Sequence, residues 1–164
     1  MTSSTNSIQS TAARRLAEAE LRALITNFAA AHQRLIGTMR RLLRKQLPTA
    51  FELVYPYKDF FVISYSPTEH GYEGVLAIRA SASGVALYFN RGKELPDPAK
   101  LLRGSGKQTR SIPMERASTL AQPEVACLIA KAIAHNPVPF ASTGRGVIVM
   151  RSAAAKKRKQ NRPA

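Results

Sequence analysis

The stretch Leu101–Pro113, LLRGSGKQTRSIP, places a lysine behind two glycines as Gly104-Ser105-Gly106-Lys107. Glycine backbone and a lysine point charge are what a phosphate-gripping loop uses. Such a loop also needs a glycine five residues before Gly106 and a hydroxyl directly after the lysine. Leu101 and Gln108 stand at those positions. The order of elements is reversed as well. Asp97 as N-cap, Pro98 at the first helical position and Gly104 past the end predict a short helix before the loop. KQTRSIPM predicts a strand after it, so helix runs to strand. A helix C-terminus turns carbonyls, not N–H groups, toward the loop it enters. The glycines are therefore read as a chain reversal, with Lys107 and Arg110 a small basic patch beside it.

Other reactive residue types are weighed the same way. Glu69, His70 and Glu73 are the nearest approach to a metal-binding trio. They surround Gly71, where ordinary turn chemistry also favours polar residues. His32 lies on the apolar face of a helical pattern, which suits an interior or interface residue. His135 falls in a last helical turn, where partial positive charge is favourable. Cys127, the single cysteine, is expected to pack as a small hydrophobe. No Gly-x-Ser-x-Gly elbow occurs. The sequence offers no catalytic set and no cofactor motif, and the expectation is a protein that is not an enzyme.

The formal charge of +15 is unevenly placed: +6 over residues 1–47, +2 over 48–136 and +7 over 137–164. The excess belongs to an N-terminal arm and a C-terminal tail, and the middle is nearly neutral. Lys156, Lys157, Arg158, Lys159 and Arg162 concentrate the tail's charge. Such a run either binds nucleic acid weakly and salt-dependently or is simply solvated. No apolar run is long enough to span a membrane, and the N-terminus has no apolar signal block. With one cysteine no internal disulfide is possible, which fits a reducing, cytoplasmic setting. The Ser/Thr-rich start with early arginines leaves a mitochondrial transit segment as a lesser alternative.

These residues must be positioned by a single domain, for which 164 residues with 45% hydrophobic content suffice. Residues 1–11 read as disordered. From Ala12 to Gln46 a helical stripe runs through Leu16, Leu21, Leu24, Ile25 and Phe28. His32, Leu35, Ile36, Met39, Leu42 and Leu43 continue it. One long helix and two helices breaking near Asn27 both fit. Arg34, Arg40, Arg41, Arg44 and Lys45 cluster off the stripe or at its edge. The stripe is long for one small sheet, which points to pairing with a second copy through the N-terminal helix. FELVYPY, FFVISYS, GVLAIRA and GVALYFN read as sequential strands of an antiparallel meander. Val125, Leu128, Ile129, Ala132 and Ile133 mark a final helix opened by Pro123. Residues 140–164 are a basic, mostly disordered tail in which Gly146–Met150 is an optional edge strand. The fold class is α+β: an antiparallel sheet of about five strands packed against N-terminal and C-terminal helices, one domain over residues 12–139.

The span FFVISYS…GVLAIRA…VALYFNRGKELPDPAKLLRGSGKQTRSIPM…PEVACLIAKAIAHN resembles the YdhG-like family of bacterial domains of unknown function. Leu102, Gly104, Gly106, Lys107, Arg110 and Ile112 carry the resemblance, with Leu120, Ile129 and Ile133 behind them. It implies an α+β fold in a small cytoplasmic protein, and some relatives are described as frataxin-like iron chaperones. Iron delivery needs exposed oxygen ligands; this chain has ten acids in all and no cluster of three in sequence.

Three functions stand as expectations. The first is a non-enzymatic binding or accessory protein of the YdhG-like type, whose partner is a small ligand or a protein. The second is a nucleic-acid-associated protein using its basic arm and tail. The third is a frataxin-like iron-binding protein using Glu69, His70 and Glu73. The aromatics of the strands, from Tyr55 to Phe89, make either an ordinary core or a sheet face that accepts a flat ligand or bases.

Overall fold

The computed structural model describes residues 8–151. Two helices, α1 (Thr11–Ile25) and α2 (Ala30–Gln46), form a hairpin that precedes the sheet. The break falls at residues 26–29, around Asn27, so the two-helix alternative is the one adopted. Ser10 caps α1 by accepting a hydrogen bond from the Ala13 amide at 3.1 Å.

The strands are β1 (Phe51–Pro56), β2 (Phe60–Ser66), β3 (Leu76–Ser81), β4 (Gly84–Phe89), β5 (Arg110–Met114) and β6 (Val147–Met150). Their order across the sheet is β5-β4-β3-β2-β1-β6. The first five form the expected antiparallel meander, with Ile63 opposite both Val54 and Ile78 and Leu87 opposite Ile78. The sixth pairs parallel with β1, so the sheet is mixed rather than purely antiparallel. The chain reaches that far edge through α3 (Pro123–His135) and a crossover, and a crossover delivers a parallel strand.

Alternation sorts the two faces. Val54, Ile63, Ile78, Leu87 and Ile112 join one buried cluster with Leu21, Ile36, Met39 and Leu43 of the hairpin and Val125, Leu128 and Ile129 of α3. Much of the stripe is thus spent inside the chain, with Leu24, Ile25, Phe28 and Leu42 half-buried at its border. Leu16, placed on that stripe by its spacing, is 63% exposed. On the opposite face Phe51, Leu53, Tyr55 and Val147 form a smaller cluster with Tyr57, Val62 and Val149.

Three other expectations change. Residues 97–103 form no helix. Asp97 does cap, its two carboxylate oxygens accepting from Leu101 and Leu102 amides at 2.9 and 2.8 Å. After one turn at Pro98–Ala99, Lys100 adopts φ 53°, and Arg103 exchanges both backbone hydrogen bonds with Ser111 of β5. Cys127 is exposed, not packed. The ordered unit also passes both expected boundaries: Gln9 bonds to β6, and Phe140 packs on the main core.

Candidate polyanion interface

Glu52 occupies a core-facing position in β1, where a carboxylate is costly unless paired. The pairing comes from α2. Arg40 reaches it with Nε at 2.9 Å from Oε2 and Nη2 at 3.0 Å from Oε1. The same guanidinium grips Glu18 of α1, with Nη1 at 2.8 Å from Oε2 and Nη2 at 2.7 Å from Oε1. Arg40 therefore bolts α1, α2 and the sheet together. Burial works against its charge, but the hydrogen bonds to Glu18 and Glu52 outweigh that and hold its pKa well above the ordinary value. Those bonds likewise hold Glu18 below the usual carboxylate range, against the opposing effect of burial. Arg44 stands further off, at 3.4 Å from Glu52 and 3.7 Å from Glu18.

Arg40 and, at longer range, Arg44 share the two carboxylates, and the cations outnumber them. Arg14, Arg41, Arg44, Lys45 and Arg145 line a cleft of about 340 Å³ floored by Leu47, Ala50 and Glu52. A neighbouring hollow of about 610 Å³ adds Arg15 and Arg22. Among the described residues, Arg14, Arg41, Lys45 and Arg145 form no ion pair. Burial first, then the charges of Arg145 and Arg44, push the pKa of Arg14 down, and the attraction of Glu18 and Glu52 does not cancel them. Arg14 is fixed there by donating to the Gly146 carbonyl. Gly146 has to be glycine: a Cβ would lie 2.5 Å from the Ala50 carbonyl oxygen and 3.1 Å from that of Pro48. Chemically the cleft gathers four guanidinium groups and the Lys45 ammonium around one buried carboxylate, Glu52, an excess of donors suited to phosphate or sulfate groups.

The residues singled out in the sequence are placed otherwise. Lys107 is exposed on its loop, and Arg110 donates to the Gly106 and Thr109 carbonyls at 2.7 and 2.8 Å. Gly104 adopts φ +126°, so the loop is a reversal and not a phosphate cradle. Arg110 begins β5, at the opposite sheet edge from β6, so this patch does not join the arginine cleft. Lys156, Lys157, Arg158 and Lys159 lie outside the described residues. Glu69, His70 and Glu73 do not converge: Glu73 accepts from the Thr68 hydroxyl, and the His70 ring stacks on Tyr72 at 5.4 Å. Among the described residues no three His, Cys, Asp or Glu side chains form a group able to hold a metal ion. A dimple by Val75, Phe89 and His135 encloses about 20 Å³, room for a single water.

Sequence reasoning flagged Arg41, Arg44 and Lys45 as a cluster but missed Arg14 and Arg145, which are brought in by the N-terminal segment and by the approach to β6. The available signal was Glu52, an acid at a core-facing position of a strand pattern. No described helix is long and apolar enough to cross a membrane. Comparison of the chain with protein-family models, with curated proteins and with solved structures finds no match.

Proposed function

We propose that this is a non-enzymatic binding protein whose ligand is a polyanion, nucleic acid in the first instance, held in the arginine cleft between α1, α2 and the start of β6. The observation that carries the reading is the gathering of Arg14, Arg41, Arg44, Lys45 and Arg145 around one cleft whose carboxylate, Glu52, is already held by Arg40. A cluster assembled only for folding would be expected to bring its own anions. A bound phosphate chain neutralises the cluster and releases counterions, which makes affinity strongly salt-dependent. The net charge of +15 adds long-range attraction for the same partner. The order of helices and strands supports an affiliation with the YdhG-like domains. The exposed, unpaired Cys127 supports a reducing, cytoplasmic location.

The test is fluorescence anisotropy of a labelled DNA duplex against the full chain over a series of salt concentrations. Changing Arg14, Arg41 and Arg145 together to Gln is expected to weaken binding and flatten its salt dependence. A second variant carries Gln at Lys156, Lys157, Arg158 and Lys159. Binding lost entirely in this second variant and unaffected in the first overturns the assignment to the cleft.

A further inference from the structure

The helical hairpin has a second cleft at its other end, where the walls suit a flat ring rather than a phosphate. It lies between the α1–α2 corner and the β1–β2 turn and has a volume of about 400 Å³, the size of a small-molecule site. Phe28 and Phe61 form one wall, edge to face with centroids 5.4 Å apart. Tyr57 and Phe60 form the other, stacked at 4.4 Å with 17° between the rings. The Arg79 guanidinium lies 4.2 Å from the Phe60 centroid, so cation, phenyl ring and phenol make a continuous stack.

Both walls are held in place before any ligand arrives. Gln33 donates its side-chain amide to the Phe28 carbonyl at 2.7 Å and fixes the corner. The Tyr57 amide donates to the Phe60 carbonyl at 2.9 Å and closes the turn. At the rim stand Asn27, His32, Lys58 and Asp59, whose side chains have no hydrogen-bond or ion-pair partner among the described residues. An amide, an imidazole and a carboxylate beside an aromatic stack match the donor and acceptor edges of a nucleobase, and the ammonium matches its phosphate.

We propose that this cleft takes one unpaired base of a single-stranded nucleic acid, stacked on the Tyr57 ring at the end of that stack, with Lys58 on the adjoining phosphate. The inference rests on the polyanion reading and names the form of polyanion preferred. A base inside a duplex is already stacked on both sides and cannot enter, whereas a single strand supplies one at little cost.

The experiment compares a labelled short oligodeoxyadenylate strand, a duplex of the same length and heparin, each titrated into the full chain. Tyr57→Ala is expected to weaken the single strand about tenfold while duplex and heparin hold, since stacking on one aromatic ring contributes that order of affinity. Tyr57→Phe keeps the ring and should bind like the parent. The chain has five tyrosines and no tryptophan, so its intrinsic emission is tyrosine emission. Part of that emission should be quenched by the single strand and not by heparin. Lys58→Gln, on the exposed turn, gives a second reading if Tyr57→Ala does not fold, and is expected to weaken the single strand several-fold. Equal binding of single strand by the parent, Tyr57→Ala and Lys58→Gln overturns this inference and leaves the arginine cleft standing. Failure of the parent chain to bind heparin, duplex and single strand alike overturns both.

Discussion

Tyr65 donates its phenolic hydrogen to Oε2 of Glu52 at 3.0 Å, across a β1–β2 register in which the two residues face each other with both side chains buried. Burial, and then the neighbouring carboxylate charge, raise the Tyr65 pKa well above the ordinary value, so the phenol stays a donor. Glu52 thereby receives bonds from a strand neighbour and from Arg40 of a helix. Arg40→Met is expected to cost about 3–5 kcal/mol, because it strands a buried carboxylate. Adding Glu52→Leu and Glu18→Leu should recover only part of that loss: no carboxylate is left unpaired, but the buried Tyr65 hydroxyl loses its acceptor. Urea unfolding of the single and triple variants checks both parts. A single variant as stable as the parent contradicts the pairing.

The pH dependence originates in Glu18. Its folded pKa lies below the ordinary value of 4.5, chiefly through the hydrogen bonds from Arg40. A carboxyl depressed in the folded state binds fewer protons there than in the unfolded chain. Its stabilising contribution is therefore complete above pH 4.5 and is lost as pH falls through the lower folded value. Glu18→Gln should lower stability at neutral pH and remove this part of the decline, leaving a flatter curve in acid. Thermal melts from neutral to acid pH measure it. Parallel curves for parent and variant would contradict the assignment.

Gln9 covers the open edge of β6. Its side-chain Nε2 donates to the Ile148 carbonyl at 2.7 Å, and its Oε1 accepts from the Ile148 amide at 3.1 Å. The amide side chain thus occupies one residue's worth of strand edge, where an unguarded strand invites pairing with another chain. Gln9→Ala should leave Ile148 exposed to water and cost about 1–2 kcal/mol for the two bonds. Amide exchange at Ile148 should quicken while that of Ile63, in the centre of the sheet, changes much less. Unchanged exchange at Ile148 would show that the contact is not held in solution.

The parts of the fold that were legible in the sequence are those set by local pattern. Runs of aromatic and β-branched residues marked β1 through β4, KQTRSIPM marked β5, and the spacing of Val125, Leu128 and Ile129 marked α3. Asp97 was recognised as a capping residue, yet the helix it promised is absent: a single turn at Pro98–Ala99 ends at Lys100 with φ 53°, and Arg103 is then drawn into a bridge with Ser111. That pairing is non-local, and single-sequence patterns do not report it. The candidate site was half visible for the same reason. Arg41, Arg44 and Lys45 recur on one helix, but Arg14 and Arg145 are separated by the whole sheet in sequence and meet only once β6 docks beside β1. Gly104 to Lys107 drew attention through residue type alone, and the positive φ at Gly104 accounts for it without a ligand.

Arg145 gives the sharpest separation between stability and binding. Among the described residues its charge bears on Arg14 most, ahead of Arg44 and of both carboxylates. In the absence of a polyanion that repulsion opposes folding; with one bound, the same two cations share an anion. Arg145→Gln should therefore leave the unliganded chain equally stable or more stable, by about 0.5 kcal/mol, the scale of exposed charge pairs. The same change should weaken duplex binding and reduce the slope of log affinity against log salt by about one. Heparin should raise the melting temperature of the parent more than that of the variant, because the stabilisation scales with ligand concentration over its dissociation constant. A variant destabilised on its own and unchanged in salt slope would mean that Arg145 serves the packing of β6 and not an anion. Calorimetric melts with and without heparin, beside the salt titration, decide between the two.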